Sequence, residues 1–189
     1  ISTKGNVIEI PNFLDGQTVT GIGDNAFSVA GKIAELILPS TLKTIGYGVF
    51  EGHALTSLVI PAGVTSIGAR AFFGNALSSI NLPDGLKTIA EGAFANNQLK
   101  GITLPKGIES VGNYAFQNNQ IASLTLPDGI KSIGEQAFQN NQIASLSIPK
   151  SLETMGNWAF ANNRISDLQF QAGSQLKEIY GYCFFDIAD

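Results

Sequence analysis

A repeat solenoid is the fold this sequence predicts, and two residue columns and one strand pattern predict it. Pro39, Pro61, Pro83, Pro105, Pro127 and Pro149 recur at intervals of 22 residues, with Pro11 ahead of an irregular first unit. Phe50, Phe72, Phe94, Phe116, Phe138 and Phe160 keep the same interval, with Phe27 and Phe184 slightly out of step at the ends. Between these columns lies a recurring LxxLxL segment. A fixed period in this range marks units that bury their apolar faces only by stacking on one another. The whole chain, 1–189, therefore reads as one array: 1–38 an irregular N-terminal unit, 39–170 regular 22-residue repeats, and 171–189 an irregular C-terminal unit, read as truncated.

The unit from Pro127 to Ile148, PDGIKSIGEQAFQNNQIASLSI, shows what each position is for. Ile143, Leu146 and Ile148 form the LxxLxL pattern, whose last part alternates with period two and predicts a short strand. The same pattern recurs as Leu77/Ile80/Leu82, Leu99/Ile102/Leu104, Ile121/Leu124/Leu126 and Ile165/Leu168/Phe170, so stacked units should build a parallel sheet. Proline closes each strand because it has no ladder donor. Ile130 and Ile133 then line a second wall as an extended segment. The Gly-x-x-Ala-Phe motif follows (Gly68–Phe72, Gly112–Phe116, Gly134–Phe138, Gly156–Phe160) and predicts a short helical or 3-10 turn with Phe as a core plug. Asn75, Asn97, Asn119, Asn141 and Asn163 end the unit, where an amide can satisfy loop backbone groups in both directions.

Composition narrows the function. Hydrophobic residues make up 44% of 189, enough for a continuous core, and charged residues only 14%, so the surface is built largely from small polar groups. A net charge of −4 argues against a nucleic-acid binder, which would carry a basic stripe. No apolar run approaches the roughly 20 residues that cross a bilayer. The chain opens on Ile1 without a signal-peptide pattern and reads as a processed protein or excised segment.

Reactive residues fall into structural columns. Cys183 occupies the column of Ala71, Ala93, Ala115, Ala137 and Ala159, the place of a small core residue rather than a nucleophile. His53 occupies the Asn column, and no second His completes a metal site or an ordinary triad. No phosphate loop or calcium loop is present. The sequence thus predicts neither an enzyme nor a cofactor. Two charge columns alternate in sign, Asp84/Lys106/Asp128/Lys150 and Lys87/Glu109/Lys131/Glu153/Lys177, which predicts a solvated ion-pair ladder that sets stacking register. The alternation gives a superperiod of two units.

The Leu-x-x-Leu-x-Leu-Pro segment followed by Val/Ile-x-x-Ile-Gly-x-x-Ala-Phe resembles the BspA-like leucine-rich repeats of bacterial surface proteins, from about Val7 to Phe185. The family's commonest unit is slightly longer and often has Cys where this chain has Asn. The resemblance implies a leucine-rich-repeat right-handed superhelix, an extracellular or cell-surface location, and adhesion to host matrix proteins or other cells. The alternative is a structural spacer or surface antigen array without a dedicated ligand.

Candidate contacts come from positions that vary. The column two residues before the core Phe contains Tyr114, Trp158 and Tyr182, with Arg70 and Gln136 elsewhere in it. Exposed aromatics here can anchor a protein or glycan partner, or they can lie flat and shield the loop beneath. The outward strand positions are small and polar until Asp167 and Gln169. The candidate set is therefore Tyr114, Trp158, Tyr182, Arg70, Asp167 and Gln169.

Overall fold

The computed structural model describes residues 2–4 and 6–187. It is a β-solenoid in which each repeat makes one coil and presents three hydrogen-bonded ladders around an apolar axis. The LxxLxL segments form the first ladder. Val7–Glu9 pairs in parallel with Glu35–Ile37, Gly101–Thr103 with Ser123–Thr125, and Ser145–Ile148 with Asp167–Phe170. In the regular repeats the register equals the sequence period, so Ile102 lies beside Leu124. Between Ile60 and Asn81 a side chain replaces the backbone: the Asn81 amide donates to the Ile60 carbonyl at 3.1 Å and accepts from its N–H at 3.2 Å. The strand predicted around Ile80 is absent there, and the ladder has no regular strand between Glu35–Ile37 and Gly101–Thr103.

The second ladder is the more continuous one. Thr88–Ile89, Ser110–Val111, Ser132–Ile133, Thr154–Met155 and Glu178–Ile179 form one parallel sheet, and Gly21–Ile22, Thr44–Ile45 and Ser66–Ile67 form another. Each strand is only two residues long, with the apolar residue turned inward except at the exposed last rung. The corner before it depends on proline twice. Its missing N–H ends the strand, and its carbonyl accepts a turn N–H three residues on, as from Ile108 to Pro105 and from Ile130 to Pro127, both at 3.1 Å.

The third ladder corrects the expected helical turns. Among the described residues no helix forms, and the Gly-x-x-Ala-Phe segments are successive turns. Arg70, Tyr114, Gln136, Trp158 and Tyr182 have φ between +52° and +59°, as do Asn96, Asn118, Asn140 and Asn162 at +54° to +56°. A left-handed residue cannot continue a right-handed helix. The N–H groups point along the solenoid instead: Tyr114 donates to the Glu135 carbonyl, Phe116 to Ala137 and Asn118 to Gln139, at 2.8, 2.8 and 3.0 Å. The N–H groups between them close single turns, from Ala115 to Gly112 at 3.4 Å and from Gln117 to Tyr114 at 3.0 Å, so the two kinds of bond alternate and no helix propagates.

The buried core follows from this winding. Phenylalanine rings stack from Phe27 through Phe184 with centroids 5.2 to 5.8 Å apart, and Phe50 to Phe160 are fully enclosed. Beside them runs the asparagine ladder. Asn119 accepts from the Leu99 N–H at 3.0 Å and donates to the Phe94 and Phe116 carbonyls at 3.0 and 3.1 Å, joining neighbouring coils. Asn97, Asn141 and Asn163 repeat the pattern. Each net bond contributes about 1 kcal/mol, but leaving these buried groups unpaired would cost more.

The ends differ. Ser2–Lys4 lies antiparallel on Val7–Glu9, and a hairpin joins Phe13–Leu14 to Gln17–Thr18. Its two-residue turn is Asp15-Gly16, both with positive φ, the conformation that matches strand twist in a tight hairpin. At the other end Gln171, standing where proline is expected, accepts from the Lys150 N–H at 3.2 Å. Phe170, Ile179 and Phe185 are nearly half exposed on the last coil.

Candidate functional site

The third ladder places the candidate aromatics on one edge of the solenoid. Their column reads Gly48, Arg70, Gly92, Tyr114, Gln136, Trp158 and Tyr182, all with positive φ. Glycine meets that backbone demand without strain, whereas a bulky side chain there costs about 1–2 kcal/mol. The inner face of the same turn requires a Phe on every coil, but the outer position tolerates anything the backbone can bear.

Trp158 and Tyr182 stack with centroids 4.8 Å apart, and Phe185 meets the Trp158 ring edge-on at 5.3 Å. Tyr182 is 66% exposed and Trp158 is half-buried beneath it. The two therefore form a ring cluster whose upper face is open to solvent. Tyr114 is half-buried, and its hydroxyl donates to Glu135 Oε1 at 3.3 Å. Burial, then the charge of Glu135, its hydrogen bond and the charge of Glu91 raise the Tyr114 pKa above the ordinary phenol value. Gln136 occupies the rung between Tyr114 and Trp158, and Gln117 donates to it at 2.7 Å.

Arg70 is held within its own chain. Nε and Nη2 donate to the two Glu51 oxygens at 3.0 and 2.5 Å, and the guanidinium carbon lies 3.9 Å from the centre of the Phe73 ring. The hydrogen bond to Glu51 pushes the Arg70 pKa further up. Asp167 and Gln169 are exposed on the strand Asp167–Phe170, in a different ladder from the aromatics, and Gln169 donates to Asp167 at 2.7 Å. The six candidates thus fall into four groups rather than one site: Trp158 with Tyr182, Tyr114, Arg70, and Asp167 with Gln169. Sequence reasoning missed Phe185, Glu135, Glu51 and Phe73, which complete the first groups; Gly48 and Gly92 in the same column were the signal that this position is left-handed.

The expected charge ladders form only in part: among the described residues the Asp84/Lys106/Asp128/Lys150 column makes no ion pair. Lys131 pairs with Glu109 at 3.2 Å and Lys177 with Glu153 at 2.5 Å, all on the exposed alternating column. An open groove of about 400 Å³ crosses the second ladder at Gly112, Gly134 and Gly156. Its glycines exist for close packing: a Cβ on Gly134 would sit 2.6 Å from the Asn113 backbone nitrogen. The Asn113 amide in its wall already accepts from the Glu135 N–H at 2.9 Å. Cys183 is buried in the alanine column, where desolvation pushes its thiol up to about 11. His53 takes the asparagine position only in part. Its Nδ1 accepts from the Ile33 N–H at 3.4 Å, while Nε2 is buried without a hydrogen-bond partner among the described residues. Burial, reinforced by Lys32 and opposed by the Phe27 carbonyl, lowers its pKa. No cluster of three metal-ligating side chains occurs among the described residues, and no helix there is long and apolar enough to cross a membrane.

Stacked parallel strands, a buried asparagine ladder and a phenylalanine spine define a leucine-rich-repeat solenoid. The sequence matches the BspA type leucine rich repeat region over residues 5–121 and 65–188, and the chain belongs to that family. No curated protein matches it. Among solved structures it is similar to a leucine-rich repeat protein from Bacteroides ovatus, at 27% identity and TM-score 0.67, over 92% of this chain and 49% of that one. A leucine rich cell surface protein from Faecalibacterium prausnitzii shares the fold at 21% identity and TM-score 0.55, over 91% of this chain and 63% of that one. The pneumococcal vaccine antigen PcpA does so at 23% and 0.55, over 92% and 50%. The chain therefore spans about half to two thirds of the length of these structures.

Proposed function

We propose that this chain is a non-enzymatic interaction module displayed on or secreted from a bacterial cell, and that it binds protein partners through the aromatic edge. The observation that carries this reading is the open Trp158–Tyr182–Phe185 cluster, in which three aromatic rings meet one another at the surface. Aromatic anchors of this kind dominate protein interfaces. Family membership and the surface or antigen descriptions of two solved proteins sharing the fold support the location. Host matrix proteins and other cells are the partners this reading favours; glycans are the other ligand the ring faces can accept.

The test is binding of the purified chain to immobilised matrix proteins, cell-surface proteins and glycans, repeated with Tyr114→Ala/Trp158→Ala. Saturable binding to a protein, weakened at least tenfold in the double variant, is the expected result. Unchanged binding removes the aromatic edge from the account, and absence of any binding favours the spacer or antigen array.

A further inference from the structure

We propose that residues 26–32 form a pH-operated flap, closed over the Phe50 ring while His53 is neutral and released when that imidazole takes up a proton. The device lies at the opposite end of the chain from the Trp158–Tyr182 cluster and does not depend on it. It sits in the seam between the first two coils, which is bonded differently from the later ones. Between the second and third coils the third ladder carries three backbone bonds, from Gly48 to Ala69, Phe50 to Ala71 and Gly52 to Phe73, at 3.0, 2.9 and 2.8 Å, and each later seam repeats the three. The first seam carries one, from Asn25 to the Tyr47 carbonyl at 2.8 Å. Among the described residues the N–H groups of Phe27 and Val29 cross to no partner, while those of Ser28 and Ala30 close turns on their own coil. Val29 is 97% exposed. The Phe27 ring, stacked on Phe50 at 5.2 Å, is what covers the core from this side.

The side-chain joint is weaker at the same place. Asn75, one coil on, accepts from the Leu55 N–H at 3.1 Å and donates to the Phe50 carbonyl at 2.8 Å, so both ends of its amide tie the coils. His53 stands in that column and ties them through one nitrogen. Nδ1 accepts from the Ile33 N–H at 3.4 Å, which leaves the proton of the neutral ring on Nε2, buried without a partner among the described residues. A second proton has only Nδ1 to occupy. It turns the one acceptor of the joint into a donor facing a donor, and it charges a side chain that is only 7% exposed. Lys32, whose ammonium bonds the Gly52 carbonyl, opposes that charge from the flap; Glu51, on the turn that carries His53, is engaged by Arg70. Burial lowers the His53 pKa and Lys32 adds to it, against the Phe27 and Gly31 carbonyls. Release of the flap exposes the ring and restores its ordinary pKa. The closed form is therefore fully favoured above about pH 6.5 and loses ground below it. The Asn25 rung and the bond from the Ala54 N–H to the Ile33 carbonyl at 2.9 Å hold the two ends of the segment as hinges.

The direct experiment follows two NMR signals of the intact chain from about pH 7.5 to about pH 5: Ile33 amide exchange, normalised to its intrinsic rate, and the NOEs between the Phe27 and Phe50 rings. The expected result is a loss of Ile33 protection of at least about threefold, with fading of the ring NOEs, both tracking the His53 titration. The Phe72 and Phe94 amides, in regular seams, should keep their protection. His53→Asn and His53→Gln remove the titration, and each should hold Ile33 protection constant over the same range. Ile33 protection indifferent to pH, a loss shared equally by Phe72 and Phe94, or a loss that persists when His53 is replaced overturns the proposal.

Discussion

Phe116 and Tyr114 stand two residues apart on the same turn. Phe116 belongs to a column that is phenylalanine on every coil from Phe27 to Phe184 and is wholly enclosed from Phe50 to Phe160. Tyr114 belongs to a column that changes from Gly48 to Arg70, Gly92, Gln136, Trp158 and Tyr182 while its backbone stays left-handed throughout. The inner column is uniform because each ring must fit the rings above and below it at a fixed spacing. The outer column varies because only its backbone is shared with the neighbours. Residues there are free of packing constraints but carry backbone strain, so a large side chain at this position adds nothing to the winding.

Substitutions that separate the columns by stability sharpen this contrast. Phe116→Ala should show the largest effect, a loss of about 3–5 kcal/mol in chemical unfolding, since a cavity opens in the middle of the stack. A silent variant would break the contrast at once. Asn119→Ala comes next. It leaves the Leu99 N–H without its partner and the Phe94 and Phe116 carbonyls with one amide donor each, from Asn97 and Asn141; the unpaired N–H costs about 1–3 kcal/mol, so urea unfolding should move toward lower concentration.

His53 gives a pH-dependent version of the same comparison. Its pKa is lowered in the folded chain, so the unfolded chain takes up the proton first as pH falls. Stability should be constant at alkaline pH and decline below about pH 6.5, by at most about 1.4 kcal/mol per pH unit. His53→Asn, which restores the residue of the other coils, should flatten that part of the profile; an unchanged profile would assign the titration elsewhere. Glu109→Gln should have the smallest effect, below about 1 kcal/mol and dependent on salt, because the Lys131 pair it removes is exposed.

The inner column was legible in the sequence and the outer one only in part. The Pro, Phe and Asn periods define the coil because each marks a position where the fold accepts one residue type. The turn at Tyr114 was misread as helical because Tyr, Trp and Arg give no local sign of positive φ; Gly92 and Gly48 did, one and three coils away. The strand expected at Ile80 was lost to the Asn81 side chain, which takes the place of a ladder bond. Arg70, Trp158 and Tyr182 were found as variants in a column, whereas Glu135 was not, since its significance depends on which side of the turn Tyr114 faces.

Side-by-side thermal unfolding of Tyr114→Gly and Phe116→Ala tests the division most directly. Relief of backbone strain should offset the lost Glu135 contact, leaving the Tyr114→Gly Tm at or slightly above that of the parent. Phe116→Ala should fall by roughly 6 °C or more. A Tyr114→Gly Tm as low as that of Phe116→Ala would place the outer column in the scaffold and contradict the account.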